Sequence, residues 1–153
     1  MERLLRRAEQ VGREGEVPVA AVVLDGEGRA MGWGSNRRHR DQDPLGHAEP
    51  VALARAARLR GSWRFHDCTL LVTLEPCPMC AGALLQARMG RVVFGARDPK
   101  RGALGGTLDL SRHASAHHRM EVVAGVLEGQ ARSQLEGWFR LRRQRQPNER
   151  RPD

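Results

Sequence analysis

The chain has 153 residues, of which 40% are hydrophobic and 29% charged, the proportions of a soluble globular protein. No apolar run reaches the length of a membrane span, and segment 1–7 lacks the long apolar core of a signal peptide. The 26 basic and 18 acidic side chains give a formal net charge of +8. We therefore expect one cytoplasmic domain that contacts no membrane.

The apolar pattern of the first half predicts helices and strands in alternation. A near-continuous apolar run favours an interior strand, and the sequence Asp-Gly-Glu-Gly at 25–28 favours a hairpin turn after it. The predicted elements are a helix over 1–14, a strand over 17–24, a hairpin strand over 29–33, a loop over 34–46 and a helix over 47–60.

The second half continues this alternation around one long segment rich in Gly, Ser and His, a length that usually indicates function. The predicted elements are a strand over 67–74, a helix over 77–88, a strand over 91–95, the irregular segment 96–119, a strand over 121–126 and a helix over 128–145. Strands separated by helices predict an α/β fold, and the hairpin makes its five-stranded sheet mixed, with helices flanking it.

Two short motifs contain the groups suited to catalysis, His47-Ala48-Glu49 and Pro76-Cys77-Pro78-Met79-Cys80. One imidazole and two thiols are zinc ligands, and three protein ligands leave the fourth position of a tetrahedral zinc open for water. Glu49 supplies the carboxylate that can take a proton from such a water and return it. The two motifs together therefore predict a catalytic zinc site.

The spacing places both motifs at helix N-termini. Cys77 and Cys80 are three residues apart, so they share one face of a helix that Pro78 is suited to begin. His47 and Glu49 would point roughly 200° apart on a regular helix, so they converge on one ion only where a helix begins. The loop signals at 43–46 agree with a helix start at that point.

A structural zinc site that recruits Cys68 or His66 as fourth ligand is the alternative, but neither residue has a second closely spaced partner. Cys68 fits a buried strand position, where a free cysteine acts as a small apolar side chain. His113, His117 and His118 lie far from the two cysteines in sequence, and we assign them surface or structural roles.

The positive charge is almost all arginine, because Lys100 is the only lysine. A genome rich in GC codons would explain this composition, and so would a polyanionic partner. The basic segment 140–145 follows Trp138 and Phe139, and basic side chains beside aromatic ones suit single-stranded nucleic acid. A solvated helix end would show the same pattern.

With these motifs in view, the chain resembles the bacterial tRNA-specific adenosine deaminases of the cytidine deaminase superfamily, to about residue 145. Three positions depart from the family pattern, Ala20, Gly46 and Pro50, and none of them removes a catalytic group. The matching stretches are 16–19, Asn36, 47–49, 73–83, 91–98 and 138–143.

The resemblance implies a cytidine-deaminase-like layered fold and a homodimer that hydrolyses the wobble adenosine of a tRNA anticodon loop to inosine. It implies a zinc-dependent deaminase domain over 1–146 and a disordered basic tail over 147–153. One zinc ion per subunit would be held by His47, Cys77 and Cys80, and Glu49 would move protons. The residues implied to contact the substrate are Asn36, Ala48, Asp98, Phe139 and Arg140.

Two other functions remain open on the sequence. A deaminase of a free base, nucleoside or nucleotide would use the same zinc chemistry but would not need the basic tail. A catalytically silent RNA-binding subunit would keep zinc for structure, although it would have no need of Glu49. Activity on tRNA that falls steeply with salt distinguishes the first function from a nucleoside deaminase.

Overall fold

The computed structural model describes residues 1–145, and the tail predicted over 147–153 lies outside them. The predicted elements are confirmed in number and order, with one addition noted below. The helices are α1 (Glu2–Arg13), α2 (Arg38–Asp41), α3 (Ala48–Arg60), α4 (Pro78–Gln86) and α5 (Glu128–Arg145). The strands are β1 (Ala20–Leu24), β2 (Ala30–Ser35), β3 (Thr69–Leu74), β4 (Arg91–Ala96) and β5 (Glu121–Val123).

The sheet has the strand order β2-β1-β3-β4-β5. Strand β1 is antiparallel to both of its neighbours, whereas β3, β4 and β5 run parallel. A parallel neighbour requires a long crossover, and α4 supplies it between β3 and β4. The prediction of a mixed five-stranded sheet is confirmed.

Helices cover both faces of this sheet, because side chains alternate in direction along each strand. Ala21 and Val23 of β1 join the larger core with apolar residues of α3 and α4. Ala20 and Val22 face the other way, where they pack with Leu4 and Ala8 of α1. A third cluster brings α5 onto the same side as α1, through Leu5, Ala96 and Ala131.

The structure differs from the predicted boundaries by three residues or more at three places. Strand β1 begins at Ala20 rather than at residue 17, because the chain before it turns, with the Val19 N–H donating to the Val17 carbonyl oxygen. The predicted loop over 34–46 contains the short helix α2, whose first turn is held by Glu16, an acceptor 24 residues away in sequence. Strand β5 ends at Val123, two residues before Gly125, which adopts a φ of +83° that interrupts the extended backbone. Among the described residues no helix has the length and apolar composition needed to cross a bilayer.

Two glycines of β2 allow α3 to lie directly against the sheet. A Cβ added at Gly34 would overlap the Ala48 carbonyl oxygen and lie 2.7 Å from the Ala52 nitrogen. At Gly32 it would overlap the Ala52 carbonyl oxygen and lie 2.6 Å from the Ala56 nitrogen. The start of α3, which contains Ala48, therefore depends on the absence of a side chain in β2.

We expect Gly34→Ala to lower the free energy of unfolding by about 1–3 kcal/mol or more, because the backbone must shift to accept the methyl group. Urea unfolding of the zinc-loaded protein measures this change. Gly137→Ala is the matched control, since an added Cβ at Gly137 in α5 meets no atom within 4 Å. Equal stability of the two variants would contradict the close approach.

Candidate metal centre

The two sequence motifs meet where α3 and α4 begin. His47 is the N-cap of α3 and Cys77 is the N-cap of α4, and both have extended backbone angles before the first helical turn. Pro78 occupies the first turn of α4, where its missing N–H leaves no hydrogen bond unmade. The predicted convergence of both motifs at helix N-termini is confirmed.

The ligand atoms have the separations that a tetrahedral zinc requires. Nδ1 of His47 lies 3.7 Å from Sγ of Cys77 and 3.4 Å from Sγ of Cys80, and all three atoms lie within 4.8 Å of one another. Zinc bonds of the usual length at tetrahedral angles would place such nitrogen and sulfur atoms about 3.6 Å apart. His47, Cys77 and Cys80 therefore fit one zinc ion, and the donor set leaves its fourth position free.

Hydrogen bonding within the cluster prepares it for a cation. The hydrogen bond from the Cys80 thiol, together with His47, holds the pKa of Cys77 well below that of an ordinary thiol. The same hydrogen bond raises the pKa of Cys80, and the Cys77 thiolate raises the pKa of His47. Metal binding must displace the protons that remain on these ligands, so metal affinity will depend on pH.

Glu49 lies beside the ligands and is almost completely buried, with 4% of its surface exposed. Burial raises the pKa of its carboxyl group to about 7, and hydrogen bonds from its own backbone N–H and the Cys80 thiol oppose that rise only in part. A carboxyl group with a pKa near neutrality can both accept and donate a proton under physiological conditions. The structure thus places a buried carboxyl group that can change its protonation state beside the three candidate metal ligands.

Asn36 is buried, and its side chain is held by Glu16, to which the sequence motifs assigned no role. Its Nδ2 donates to Oε2 of Glu16 over 3.2 Å, and the Arg40 N–H donates to Oε1 over 2.7 Å. Glu16 therefore determines which end of the Asn36 amide remains for another partner. The only sequence signal was that Glu16 begins one of the stretches shared with the resembling family.

The other predicted substrate residues lie on three separate elements. Ala48 is fully buried at the start of α3, and the Asp98 carboxylate accepts the Lys100 and Arg101 backbone N–H groups in a turn. Phe139 is 42% exposed on α5, packs edge-to-face on Trp138, and is followed by the exposed Arg140. No hydrogen bond within residues 1–145 links Asp98, Phe139 or Arg140 to the metal ligands.

The alternative ligands take no part in the cluster. In the described part of the chain, the His47, Cys77 and Cys80 group is the only set of three such residues close enough to share a metal. Cys68 is buried, as predicted, with Sγ accepting a hydrogen bond from Arg60 at 3.0 Å, and burial raises its pKa to about 11. His118 bonds the Met89 carbonyl oxygen and His113 bonds Ser115, which agrees with structural roles.

Known proteins share both this sequence and this fold. Residues 1–96 match the family described as the cytidine and deoxycytidylate deaminase zinc-binding region. The tRNA-specific adenosine deaminase of Bacillus subtilis (strain 168) is 41% identical over 141 residues, which are 92% of this chain and 86% of that protein.

Two further similarities concern a longer protein and a solved structure. A tRNA(Ile)-lysidine synthase of Deinococcus radiodurans is 48% identical over 134 residues, and the chain spans 22% of that protein's length. A structure from biochemical and structural studies of A-to-I editing by tRNA:A34 deaminases has a TM-score of 0.85 and 36% identity, and the match covers 88% of this chain and 97% of that one.

Proposed function

The chain belongs to the cytidine and deoxycytidylate deaminase family and to its tRNA-specific adenosine deaminases, and from this premise we propose that it hydrolyses the wobble adenosine 34 of a tRNA to inosine. It is a tRNA adenosine(34) deaminase, a hydrolase that releases ammonia. The observation that supports this activity best is the three-ligand His47, Cys77 and Cys80 cluster with the buried Glu49 beside it. A purely structural zinc site would need a fourth ligand and no proton carrier.

The chemistry divides between the metal and Glu49. His47, Cys77 and Cys80 would hold the zinc ion, which would supply an activated water at its open position. Glu49 would take one proton of that water and deliver it to N1 of the adenine as the oxygen adds to C6. It would then take the second proton from the same oxygen and pass it to the amine, which leaves C6 as ammonia. In the metal-free protein, burial raises the pKa of Glu49 to about 7, a value that suits transfer in both directions.

The substrate contacts follow from the position of each side chain. Asn36 would orient the target nucleotide, with Glu16 holding its amide, and the buried start of α3 at Ala48 would border the base. Asp98 and the loop after it would lie along the anticodon loop, and Phe139 and Arg140 would meet neighbouring nucleotides. We expect Arg140→Ala to lower kcat/KM on tRNA. An unchanged kcat/KM would contradict the proposed contact between α5 and the tRNA.

The partners that fit this activity are a tRNA anticodon loop and a second copy of the chain. The arginine tRNA with anticodon ACG is the proposed substrate, and its polyanionic backbone complements the net charge of +8. We place the enzyme in the cytoplasm as a homodimer with one zinc per subunit. Sedimentation equilibrium measures the mass of the protein alone and of its complex with tRNA. A mass that corresponds to one subunit in both cases would contradict the dimer.

Inosine formation in arginine tRNA with anticodon ACG tests the function directly. We expect zinc-loaded enzyme to convert the wobble adenosine, detected by nucleoside mass spectrometry, with the same tRNA bearing guanosine at the wobble position as control. The rate should fall steeply with salt, by roughly 0.7 in log–log slope for each phosphate that the enzyme binds. Activity on free adenosine with no effect of salt would support the nucleoside deaminase, and inactivity on both would support the silent subunit.

A further inference from the structure

Glu75 is a buried carboxylate to which the proposed chemistry assigns no role. It follows β3 directly, with only 2% of its surface exposed. Its Oε1 accepts the backbone N–H groups of Leu104 at 3.1 Å and Gly106 at 2.8 Å, and its Oε2 accepts that of Asp98 at 3.1 Å. One side chain thus holds three backbone donors from a segment more than 20 residues away in sequence.

The backbone of this segment is shaped around the carboxylate. A Cβ at Gly102 would overlap the Glu75 carboxylate and lie 2.6 Å from the Asp98 carbonyl oxygen. A Cβ at Gly106 would lie 2.8 Å from Oε2 of Glu75, and Gly105 has a φ of +115°, which other residues rarely adopt. The three glycines are therefore explained by the close approach of the chain to Glu75 and by the turn that follows it.

We call residues 97–106 the anchored loop. It is closed on itself by hydrogen bonds from the Gly102 N–H to the Asp98 oxygen and from the Thr107 N–H to the Gly102 oxygen, both 2.9 Å long. Ala103 and Leu104 are buried, whereas Arg97, Lys100 and Arg101 are exposed. The loop is thus a rigid frame that presents three cations to solvent.

The position of the anchored loop is also fixed relative to the metal ligands. Glu75 is separated from the ligand Cys77 only by Pro76, and the Ala103 N–H donates to the Pro76 carbonyl oxygen at 2.9 Å. A shift of the loop would therefore move its cations relative to the zinc ligands. A flexible loop with the same cations would lose entropy on binding that a preformed loop does not lose.

We propose that Glu75 is a positioning residue, which fixes the anchored loop so that Arg97, Lys100 and Arg101 meet the phosphates of the RNA substrate beside the metal centre. This inference rests on the proposed function. Glu75 acts through the loop rather than on the reacting atoms. It therefore sets the affinity for the polyanionic substrate and leaves the chemical step unchanged.

Glu75→Gln tests the inference, because glutamine keeps the size of the side chain but presents an amide group to at least one of the three N–H donors. We expect kcat/KM on the arginine tRNA to fall about tenfold, mainly through KM, as for removal of a hydrogen bond to a charged group. The salt dependence of kcat/KM should become shallower by roughly 0.7 for each phosphate that the displaced loop no longer reaches. Zinc content should stay at one per subunit.

A double-mutant cycle separates positioning from general stability. In a Lys100→Ala/Arg101→Ala background, Glu75→Gln should have much less effect on kcat/KM, since two of the three cations it positions are gone. Equal losses in both backgrounds, or a parallel loss of zinc, would overturn the proposal and assign Glu75 to support of Cys77. Unchanged KM and salt slope would also overturn it. Inactivity of the wild-type enzyme would instead reject the proposed function.

Gly102→Ala disturbs the same contact from the loop side and should reproduce the rise in KM and the shallower salt slope. This second variant gives the answer if Glu75→Gln does not fold. Gly129→Ala is its matched control, because an added Cβ there meets no atom within 4 Å. Glu121→Gln is the control for the carboxylate, since Glu121 lies on the surface and, within residues 1–145, its side chain pairs only with Arg91.

Discussion

Glu49→Gln is expected to lower kcat for wobble deamination by a factor of about 10² to 10⁴, the usual contribution of a positioned acid–base group. Glutamine has nearly the same size and can occupy the same buried site, but it cannot exchange a proton. Glu49 is 4% exposed, so little of its carboxyl group is solvated by bulk water. The loss should therefore appear in kcat and leave KM for the tRNA nearly unchanged.

Single-turnover inosine formation measures the chemical step of this variant separately from product release. Metal analysis in parallel must show one zinc per subunit, so that the loss is assigned to the proton and not to the metal. Glu14→Gln on the exposed end of α1 is the matched control and should retain full activity. A Glu49→Gln enzyme with more than about a tenth of the wild-type kcat would contradict the assigned role.

The second large effect is expected from Cys80→Ala, which removes a fully buried zinc ligand. Two ligands remain, so we expect the variant to be isolated without stoichiometric zinc and without detectable inosine formation. Cys68→Ala is the matched control, because it also removes a buried thiol but lies outside the cluster. That control should lose some stability and keep both its zinc and its activity.

Lowering the pH should also weaken zinc binding in the wild-type protein, but gradually rather than completely. The Cys77 thiolate raises the pKa of His47 in the metal-free protein, so protons compete with zinc for this imidazole at a higher pH than they would for an ordinary histidine. Zinc affinity should therefore fall as the pH is lowered, by about tenfold per pH unit for each proton displaced. Competition with a chelator at several pH values measures this slope, and a flat profile would contradict the three-ligand assignment.

Local spacing was sufficient to predict the elements and the metal ligands. The 3.6-residue period places Cys80 about one turn beyond Cys77, the N-cap of α4, and the same period requires His47 and Glu49 to stand at a helix start. These predictions need no knowledge of the fold, because they concern residues only a few positions apart in the sequence. Cys68 could likewise be assigned to the interior from the apolar residues around it.

The resemblance to a known family added roles for Asn36, Asp98, Phe139 and Arg140 that spacing could not supply. Those roles concern a substrate, and no local pattern in a single chain contains the shape of its ligand. The structure adds a local task for Asp98, whose carboxylate caps the turn at Lys100 and Arg101. It also shows Trp138 donating to the Gly12 carbonyl oxygen, which joins α5 to α1.

The sequence by itself was sufficient to predict the His47, Cys77 and Cys80 cluster and the order of the elements, because each depends on residues close together along the chain. The role of Glu49 as proton carrier stays a prediction. Only the tertiary structure decided the strand order and the roles of Glu16 and Glu75. Their hydrogen-bond partners lie 20 to 31 residues away, and an isolated glutamate in a sequence looks the same whether it is solvated or buried. A buried carboxylate is retained only when the fold brings enough N–H donors to it, and that condition depends on the packing of the whole domain.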